Sequence, residues 1–175
     1  MAQMVNVAGV MGDSIVDGPG IRVAIFVQGC CHHCEGCHNP ESWAFGAGTD
    51  MSVEELFAMV KANPLCRGVT FSGGEPFCQA GALVPLAENL KAAGYELASY
   101  SGYTFEQLLA GTPEQKALLG LLDILVDGPF VLVQRNLDLL FRGSENQRIL
   151  DVPKSLAAGS AVWCTAPRWV GEKQG

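Results

Sequence analysis

The sequence predicts an α/β fold whose strands are mostly parallel. Short apolar, β-branched segments alternate with longer helical patterns, and glycine-rich or polar loops follow the apolar segments. At roughly 30 residues for each βα unit, the 175 residues leave room for five or six units. A closed eight-unit barrel needs ~250 residues. We therefore expect a single domain over residues 1–175, built as an open partial barrel or a doubly wound sheet.

Four buried strands are expected along the chain. The first, IRVAIFVQ, is rich in β-branched and apolar residues and leads directly into a cysteine-rich loop. The predicted strands span residues 21–28, 68–71, 95–100 and 123–126, and weaker candidates span 148–152 and 161–164. In parallel sheets, the loops after the carboxyl ends of the strands carry the chemistry. The residues that follow each strand are therefore the candidate site.

Helical segments are expected between these strands. They begin near Ser52, Gly81, Thr104 and Thr112. Thr49 or Asp50 is the expected cap of the first helix, and Pro64 ends it. Strands and helices thus alternate over most of the chain, as a parallel α/β sheet requires.

Composition and charge narrow the classes of partner. The chain has a net charge of −7 and only 11 lysines and arginines, so a nucleic-acid partner is not expected. No signal peptide is apparent, and charged or turn-forming residues interrupt each apolar run before it could span a membrane. We expect a cytoplasmic protein without a membrane partner.

The loop over residues 29–43, GCCHHCEGCHNPESW, carries three closely spaced cysteines. Cys30, Cys34 and Cys37 can direct three thiolates at one centre, because Gly29 and Gly36 let the backbone fold around it. Three thiolates at this spacing suit an iron–sulfur cluster, which normally takes four protein ligands. The missing fourth ligand would leave one iron open to a small molecule, as in catalytic metal sites.

Zinc is the alternative occupant of this loop. Three histidines lie close enough to complete a Cys₃His set: His32, His33 and His38. A second cysteine knuckle, usual in zinc modules, is missing from the sequence. Cys31 stands inside the loop without an obvious purpose, and core or surface thiols are the favoured interpretation of Cys66, Cys78 and Cys164.

Three further segments are expected to meet the cysteine loop. Residues 72–76, SGGEP, follow a strand, and Gly73 and Gly74 let the backbone approach a ligand closely. Glu75 offers an acceptor for an ammonium group. Ser101 and Asp127 end the next two strands and are expected to face the same cavity, where they contact a ribose or carboxylate or simply cap a turn.

The sequence around the cysteines resembles that of a known family. The resemblance is found in DGPG at 17–20 with Arg22, the strand into QGC at 28–30, CHNP at 37–40 with Trp43, VDGPF at 126–130 and FRGSENQRILDV at 141–152. Together they resemble the radical S-adenosylmethionine activating enzymes of glycyl radical enzymes. Within that family, they are most similar to the activases of anaerobic ribonucleoside-triphosphate reductases. The resemblance covers residues 14–152.

The resemblance implies a fold, two cofactors and a site. The fold would be an open β/α barrel of the radical S-adenosylmethionine type, with a C-terminal extension over about 130–175. Cys30, Cys34 and Cys37 would hold a [4Fe-4S] cluster whose open iron chelates S-adenosylmethionine. Gly73, Gly74 and Glu75 would hold the methionine amino group. Gly36, Cys37 and His38 would lie along the adenine.

The implied reaction links this chain to another protein. The reduced cluster would split S-adenosylmethionine, and the 5′-deoxyadenosyl radical would take a hydrogen atom from a glycine of the reductase. Reduced flavodoxin or ferredoxin would be the electron donor. The residues at 142–143 and 146–148 could dock the partner's glycine loop or form a solvated polar loop. Two alternatives stay open at this point: activation of another glycyl radical enzyme, of the pyruvate formate-lyase type, and a non-catalytic zinc or electron-transfer module.

Overall fold

A computed structural model describes residues 4–32 and 43–171. These residues form one seven-stranded sheet in the order β3-β1-β2-β4-β5-β6-β7. The strands are β1 (Met4–Ser14), β2 (Arg22–Val27), β3 (Thr49–Ser52), β4 (Gly68–Gly73), β5 (Glu96–Tyr100), β6 (Ile124–Asp127) and β7 (Arg148–Asp151). The α/β class and the four central strands predicted from the sequence are confirmed.

The centre of the sheet is parallel and its flanks are antiparallel. β2, β4, β5 and β6 run parallel to one another, whereas β1, β3 and β7 pair antiparallel. Three crossovers join the four parallel strands, so the five or six βα units expected from length are not confirmed within the described residues. Length sets only an upper bound, because two extra strands at one edge and one at the other use residues that the estimate assigned to βα units.

Two strands at one edge were not predicted. β1 contains Gly9 and Gly12, and its burial does not alternate regularly, so it lacks the period of two that marks a strand. The expected helix cap at Thr49 or Asp50 is wrong, because both residues lie in β3, paired with β1. Ser52 caps the helix instead, accepting a hydrogen bond from the backbone N–H of Glu55 at 3.0 Å.

Six α-helices connect or follow the described strands. They are α1 (Val53–Lys61), α2 (Ala80–Ala92), α3 (Phe105–Leu109), α4 (Pro113–Leu121), α5 (Val152–Ala158) and α6 (Pro167–Val170), with 3-10 turns at Pro76–Gln79 and Leu132–Gln134. Thr104 and Thr112 form capping boxes, which confirms both predicted starts. None of the helices described in residues 4–32 and 43–171 is long and apolar enough to cross a membrane.

Alternate residues of the central strands contribute to two cores on opposite faces of the sheet. Leu97 and Leu125 join the larger core, which includes buried residues of α1, α2, α3 and α4. Ala98 and Val126 join a smaller core that is closed by Trp169 of α6. The C-terminal tail therefore covers the face opposite these helices. The candidate strand at 161–164 is reduced to an isolated bridge between residues 150 and 163.

Arg22 anchors this second face. Its guanidinium is buried, donates from Nε to Thr70 Oγ1 at 2.9 Å and pairs with Glu96 at 2.9 Å. It also lies 5.2 Å from the ring centre of Trp169, a cation–π contact. Thr70 in turn donates to the backbone carbonyl of Asp17 at 2.8 Å. These contacts fix the loop before β2 onto the sheet.

Candidate cofactor site

The carboxyl ends of the four parallel strands lie side by side at one end of the sheet. Each strand ends at or leads into a residue that the sequence predicts to be part of the site. Cys30 follows β2, Glu75 follows β4, Ser101 follows β5, and Asp127 ends β6. The parallel registers bring the carboxyl ends of these strands side by side. The structure therefore places candidate residues from four separate segments along one edge.

The loops after β2 and β4 are joined through their backbones. Gly74 N–H donates to the carbonyl of Val27, and Glu75 N–H donates to the carbonyl of Gly29, both at 2.8 Å. A Cβ at Gly74 would lie 2.3 Å from the Gly29 oxygen, and Gly73 has a φ of +91°. The sequence predicted that these glycines approach a ligand. In the structure they let one loop pack directly on the other.

The carboxylate of Glu75 is fully buried at this junction. Its Oε1 accepts from His32 Nε2 at 2.6 Å, Ser101 Oγ at 2.9 Å and Gly102 N–H at 2.7 Å. Its Oε2 accepts from the N–H of Phe77 at 3.0 Å and is also 3.0 Å from Ser101 Oγ. Four donors therefore compensate the burial of this charge. Glu75 links segments that follow three neighbouring strands.

The sequence indicates His32 only as a possible zinc ligand and does not predict its contact with Glu75. The ring nitrogen Nε2 is occupied by its 2.6 Å hydrogen bond with Glu75, so only Nδ1 remains for a metal. The ring meets Tyr103 edge-on at 4.6 Å, and a Cβ at Gly102 would lie 2.4 Å from it. No group of three metal-binding side chains occurs within residues 4–32 and 43–171. The feature of the sequence that could have indicated the contact with Glu75 is the position of His32 inside the cysteine loop.

Cys31 lies against the turn after Glu75. Its Sγ is 3.9 Å from Cys78 Sγ and 3.4 Å from the hydroxyl of Tyr103. Partial burial, together with the neighbouring Cys31, raises the pKa of Cys78 to about 12. No pattern in the sequence associates these two cysteines, which are 47 positions apart.

Asp127 is buried, and its described contacts are structural. Its Oδ2 accepts from the N–H of Phe105 at 2.8 Å, at the start of α3. Both carboxylate oxygens also accept from Arg148, with distances of 3.0 and 2.6 Å. Arg148 extends the pair to Glu106 at 2.8 Å, and these hydrogen bonds raise the pKa of the guanidinium further above its usual value. The turn-capping alternative for Asp127 thus has direct geometric support.

A cavity of about 380 Å³ opens beside these strand ends. The strands contribute four of its lining residues, Phe26, Ser72, Gly73 and Tyr100, and the remaining lining residues, Asp17 and Arg142 among them, come from loops. Burial raises the pKa of Tyr100, which keeps this hydroxyl protonated. The cavity therefore borders the Gly73 loop and the segment expected to contact a partner.

Comparison with known proteins decides the family. A family model described as "4Fe-4S single cluster domain" matches residues 16–150. The chain is 34% identical over 143 residues to the "Anaerobic ribonucleoside-triphosphate reductase-activating protein" of Haemophilus influenzae, covering 77% of this chain and 90% of that protein. The chain belongs to the family of anaerobic ribonucleoside-triphosphate reductase-activating proteins.

Two other similarities are more limited in extent. The chain is 44% identical over 84 residues to the "Pyruvate formate-lyase-activating enzyme" of Listeria monocytogenes, covering 45% of this chain and 34% of that enzyme. The structure of QueE from Escherichia coli superposes with a TM-score of 0.46 and 20% identity, covering 58% of this chain and 54% of that one.

The residues present fit the cluster that this family carries. Cys30 is buried at the carboxyl end of β2, and its backbone N–H donates to the carbonyl of Trp43 at 3.1 Å. The two ends of the cysteine loop therefore meet beside Glu75. The other expected ligand and adenine positions lie outside the described residues: Cys34, Gly36, Cys37 and His38. A thiolate donor at this edge is what an iron–sulfur cluster requires.

Proposed function

We propose that this chain activates an anaerobic ribonucleoside-triphosphate reductase by generating a glycyl radical on it. A bound [4Fe-4S] cluster supplies the electron that cleaves S-adenosylmethionine to a 5′-deoxyadenosyl radical, which takes the hydrogen atom from the partner's glycine. The observation that carries the proposal is the meeting of the Cys30 loop with the Glu75 loop in a chain of this family. The fold we propose is an open β/α barrel of the radical S-adenosylmethionine type, within one domain.

Cys30, Cys34 and Cys37 are the proposed cluster ligands. Cys31 is not one of them, because its thiol contacts Cys78 and Tyr103 on the turn that follows Glu75. The spacing of Cys30, Cys34 and Cys37 leaves one iron without a protein ligand, and that position would take the amino and carboxylate groups of S-adenosylmethionine.

Gly73, Gly74 and Glu75 are proposed to bind the methionine amino group. Four donors already surround the Glu75 carboxylate, so an ammonium group would reach Oε1 by replacing one of them. His32 is the natural donor to be replaced, because its side chain is 16% exposed and approaches from the cysteine loop. We further propose that Gly36, Cys37 and His38 contact the adenine. Ser101 acts by fixing Glu75, and Asp127 acts by fixing α3.

The partner's glycine loop is proposed to enter the cavity beside the strand ends. Val16 lines this cavity and has a largely exposed apolar side chain, which would give the reductase a surface to bind. Arg142 and Gly143 line the cavity and lie in the segment whose sequence matches this subgroup. A reduced flavodoxin or ferredoxin is the proposed electron donor.

Activation of a pyruvate formate-lyase type enzyme is the second candidate. The 44% identity to an activase of that kind favours it, but that identity extends over only 84 residues. The match to the reductase activase from Haemophilus influenzae covers 90% of that protein, so the reductase is the preferred partner.

Cluster assembly and cofactor binding test the proposed site directly. The chain is reconstituted with iron and sulfide without oxygen, and iron per chain is measured for Cys34→Ala and for Cys31→Ala as the matched control. Cys34→Ala should lose the cluster because two thiolates hold it poorly, whereas Cys31→Ala should retain it. S-adenosylmethionine should then change the electron paramagnetic resonance spectrum of the reduced wild-type cluster. Equal iron loss in both variants, or an unchanged spectrum, would contradict the proposal.

A further inference from the structure

Two exposed cysteines face each other beside the proposed cofactor site. The sulfur atoms of Cys31 and Cys78 are 3.9 Å apart, and the Tyr103 hydroxyl lies 3.4 Å from Cys31 Sγ. Both cysteines are accessible to solvent, whereas the other three in the described residues are buried: Cys30, Cys66 and Cys164. Among the five cysteines that the structure describes, reagents in solution can therefore reach these two most readily.

The backbone holds the two segments at a fixed separation. Glu75 N–H donates to the Gly29 carbonyl at 2.8 Å, and Cys78 N–H donates to the Glu75 carbonyl at 3.0 Å. Cys31 is two residues beyond Gly29, so each thiol is attached close to this link. Held together in this way, one thiol presents itself to the other at a high effective concentration. The sulfur atoms must approach by about 1.9 Å to reach disulfide bonding distance.

We propose that Cys31 and Cys78 form a reversible dithiol–disulfide site that exchanges with low-molecular-weight disulfides of the glutathione type. One thiolate attacks the reagent disulfide, and a mixed disulfide forms as the first reagent thiolate leaves. The second cysteine then attacks that mixed disulfide, and the second reagent thiolate leaves. The two cysteines lose two electrons and two protons in total, and the reagent is reduced to two thiols.

The bond would connect the cysteine loop to the turn at Pro76–Gln79. It would join the residue next to Cys30 to a residue three positions after Glu75. Even without the bond, contact with Cys78 and Tyr103 holds Cys31 on this turn. These contacts give Cys31 a structural role in the cysteine loop, and that role does not depend on which partner the protein has.

Peptide mapping of the cluster-loaded chain tests the site. The protein is incubated anaerobically with oxidised glutathione, alkylated and digested with trypsin under non-reducing conditions. Cleavage after Arg22, Lys61, Arg67 and Lys91 places the two cysteines on different peptides. Wild-type protein should yield the cross-linked pair 23–61 and 68–91. Its mass should be two hydrogens below the combined mass of the two peptides when they are alkylated at Cys30, Cys34 and Cys37 but not at Cys31 or Cys78.

Variants assign the bond and supply a control. Cys31→Ser and Cys78→Ser should each lose the cross-link and retain a glutathione adduct on the remaining cysteine. Cys66→Ser is the control. It removes a buried thiol that lies on a separate tryptic peptide, 62–67, and it should keep the cross-link at the wild-type level. If either variant fails to fold, fragment-ion sequencing of the wild-type cross-linked peptides assigns the bond without a substitution. Adducts on both cysteines without a cross-link, or a bond from Cys78 to another loop cysteine, would overturn the proposal.

Discussion

Replacement of Glu75 with alanine is expected to destabilise the fold itself, independently of any effect on cofactor binding. The carboxylate is fully buried and accepts hydrogen bonds from four donors. After the substitution, the Ser101 hydroxyl can rotate and the partly exposed His32 can turn towards water. The backbone N–H groups of Phe77 and Gly102 are fixed by their segments and would lose their acceptor. Buried donors without partners carry a large free-energy cost.

The magnitude follows from these two backbone donors. A buried donor left unsatisfied costs about 1–3 kcal/mol. Phe77 N–H is buried and Gly102 N–H is part-buried, so Glu75→Ala should lower the free energy of unfolding by roughly 1–6 kcal/mol. For a chain of this size, each kcal/mol lowers the melting temperature by about 2–4 °C. Glu75→Gln should be milder, at about 1–3 kcal/mol, because its oxygen can keep the three donors at Oε1 while its amide opposes only Phe77 N–H.

Urea unfolding followed by circular dichroism measures these differences under reducing, oxygen-free conditions. Glu88→Ala is the matched control, because Glu88 is an exposed carboxylate on α2, and it should change the stability by less than about 0.5 kcal/mol. The expected order of stability is wild type, then Glu75→Gln, then Glu75→Ala. A Glu75→Ala protein within about 1 kcal/mol of wild type would refute the role of this carboxylate as the junction of three segments.

Three further outcomes are expected. Gly74→Ala should lower iron per chain after reconstitution, because its Cβ would overlap the Gly29 carbonyl, whereas Gly120→Ala, with no atom within 4 Å, should match wild type. Trp169→Ala should cost about 3–5 kcal/mol in urea unfolding by emptying the smaller core, and a loss below about 1 kcal/mol would contradict that packing. Although burial opposes it, pairing with Arg168 and Arg22 lowers the pKa of Glu96. The stabilisation of the folded state by ionised Glu96 should therefore be present above the ordinary carboxyl pKa. It should be lost as the pH falls through the lowered pKa of Glu96 in the folded protein. Glu96→Gln should weaken the dependence of the free energy of unfolding on acid pH. An unchanged dependence would exclude this contribution of Glu96.

The central sheet could be predicted from the sequence because its strands are buried on both faces. Such strands appear as short, continuous apolar runs, and all four occur where the sequence placed them. β1 and β3 could not be predicted in the same way. β1 is an antiparallel strand with interior glycines and irregular burial, and β3 has four residues, none of them buried. Their pairing depends on partners distant in the chain rather than on local pattern.

The candidate site was predictable in position but not in its contacts. Strand ends identified Cys30, Glu75, Ser101 and Asp127, because parallel strands bring their carboxyl ends to one edge. The donors to Glu75 were not apparent, since His32 reaches it across 43 positions of sequence. Likewise, no local signal pairs Asp127 with Arg148, which lies on an antiparallel strand added after the parallel sheet.

The formation of a protein radical tests the central proposal most directly. The reduced, cluster-loaded chain is mixed anaerobically with S-adenosylmethionine and an anaerobic ribonucleoside-triphosphate reductase, and electron paramagnetic resonance is recorded. A parallel sample contains a pyruvate formate-lyase, and another uses the Cys34→Ala variant. A glycyl radical doublet should appear on the reductase with wild-type protein and be absent with Cys34→Ala. No doublet on the reductase, despite a cluster that responds to S-adenosylmethionine, would contradict the proposed function, and a doublet on the lyase alone would assign the second candidate.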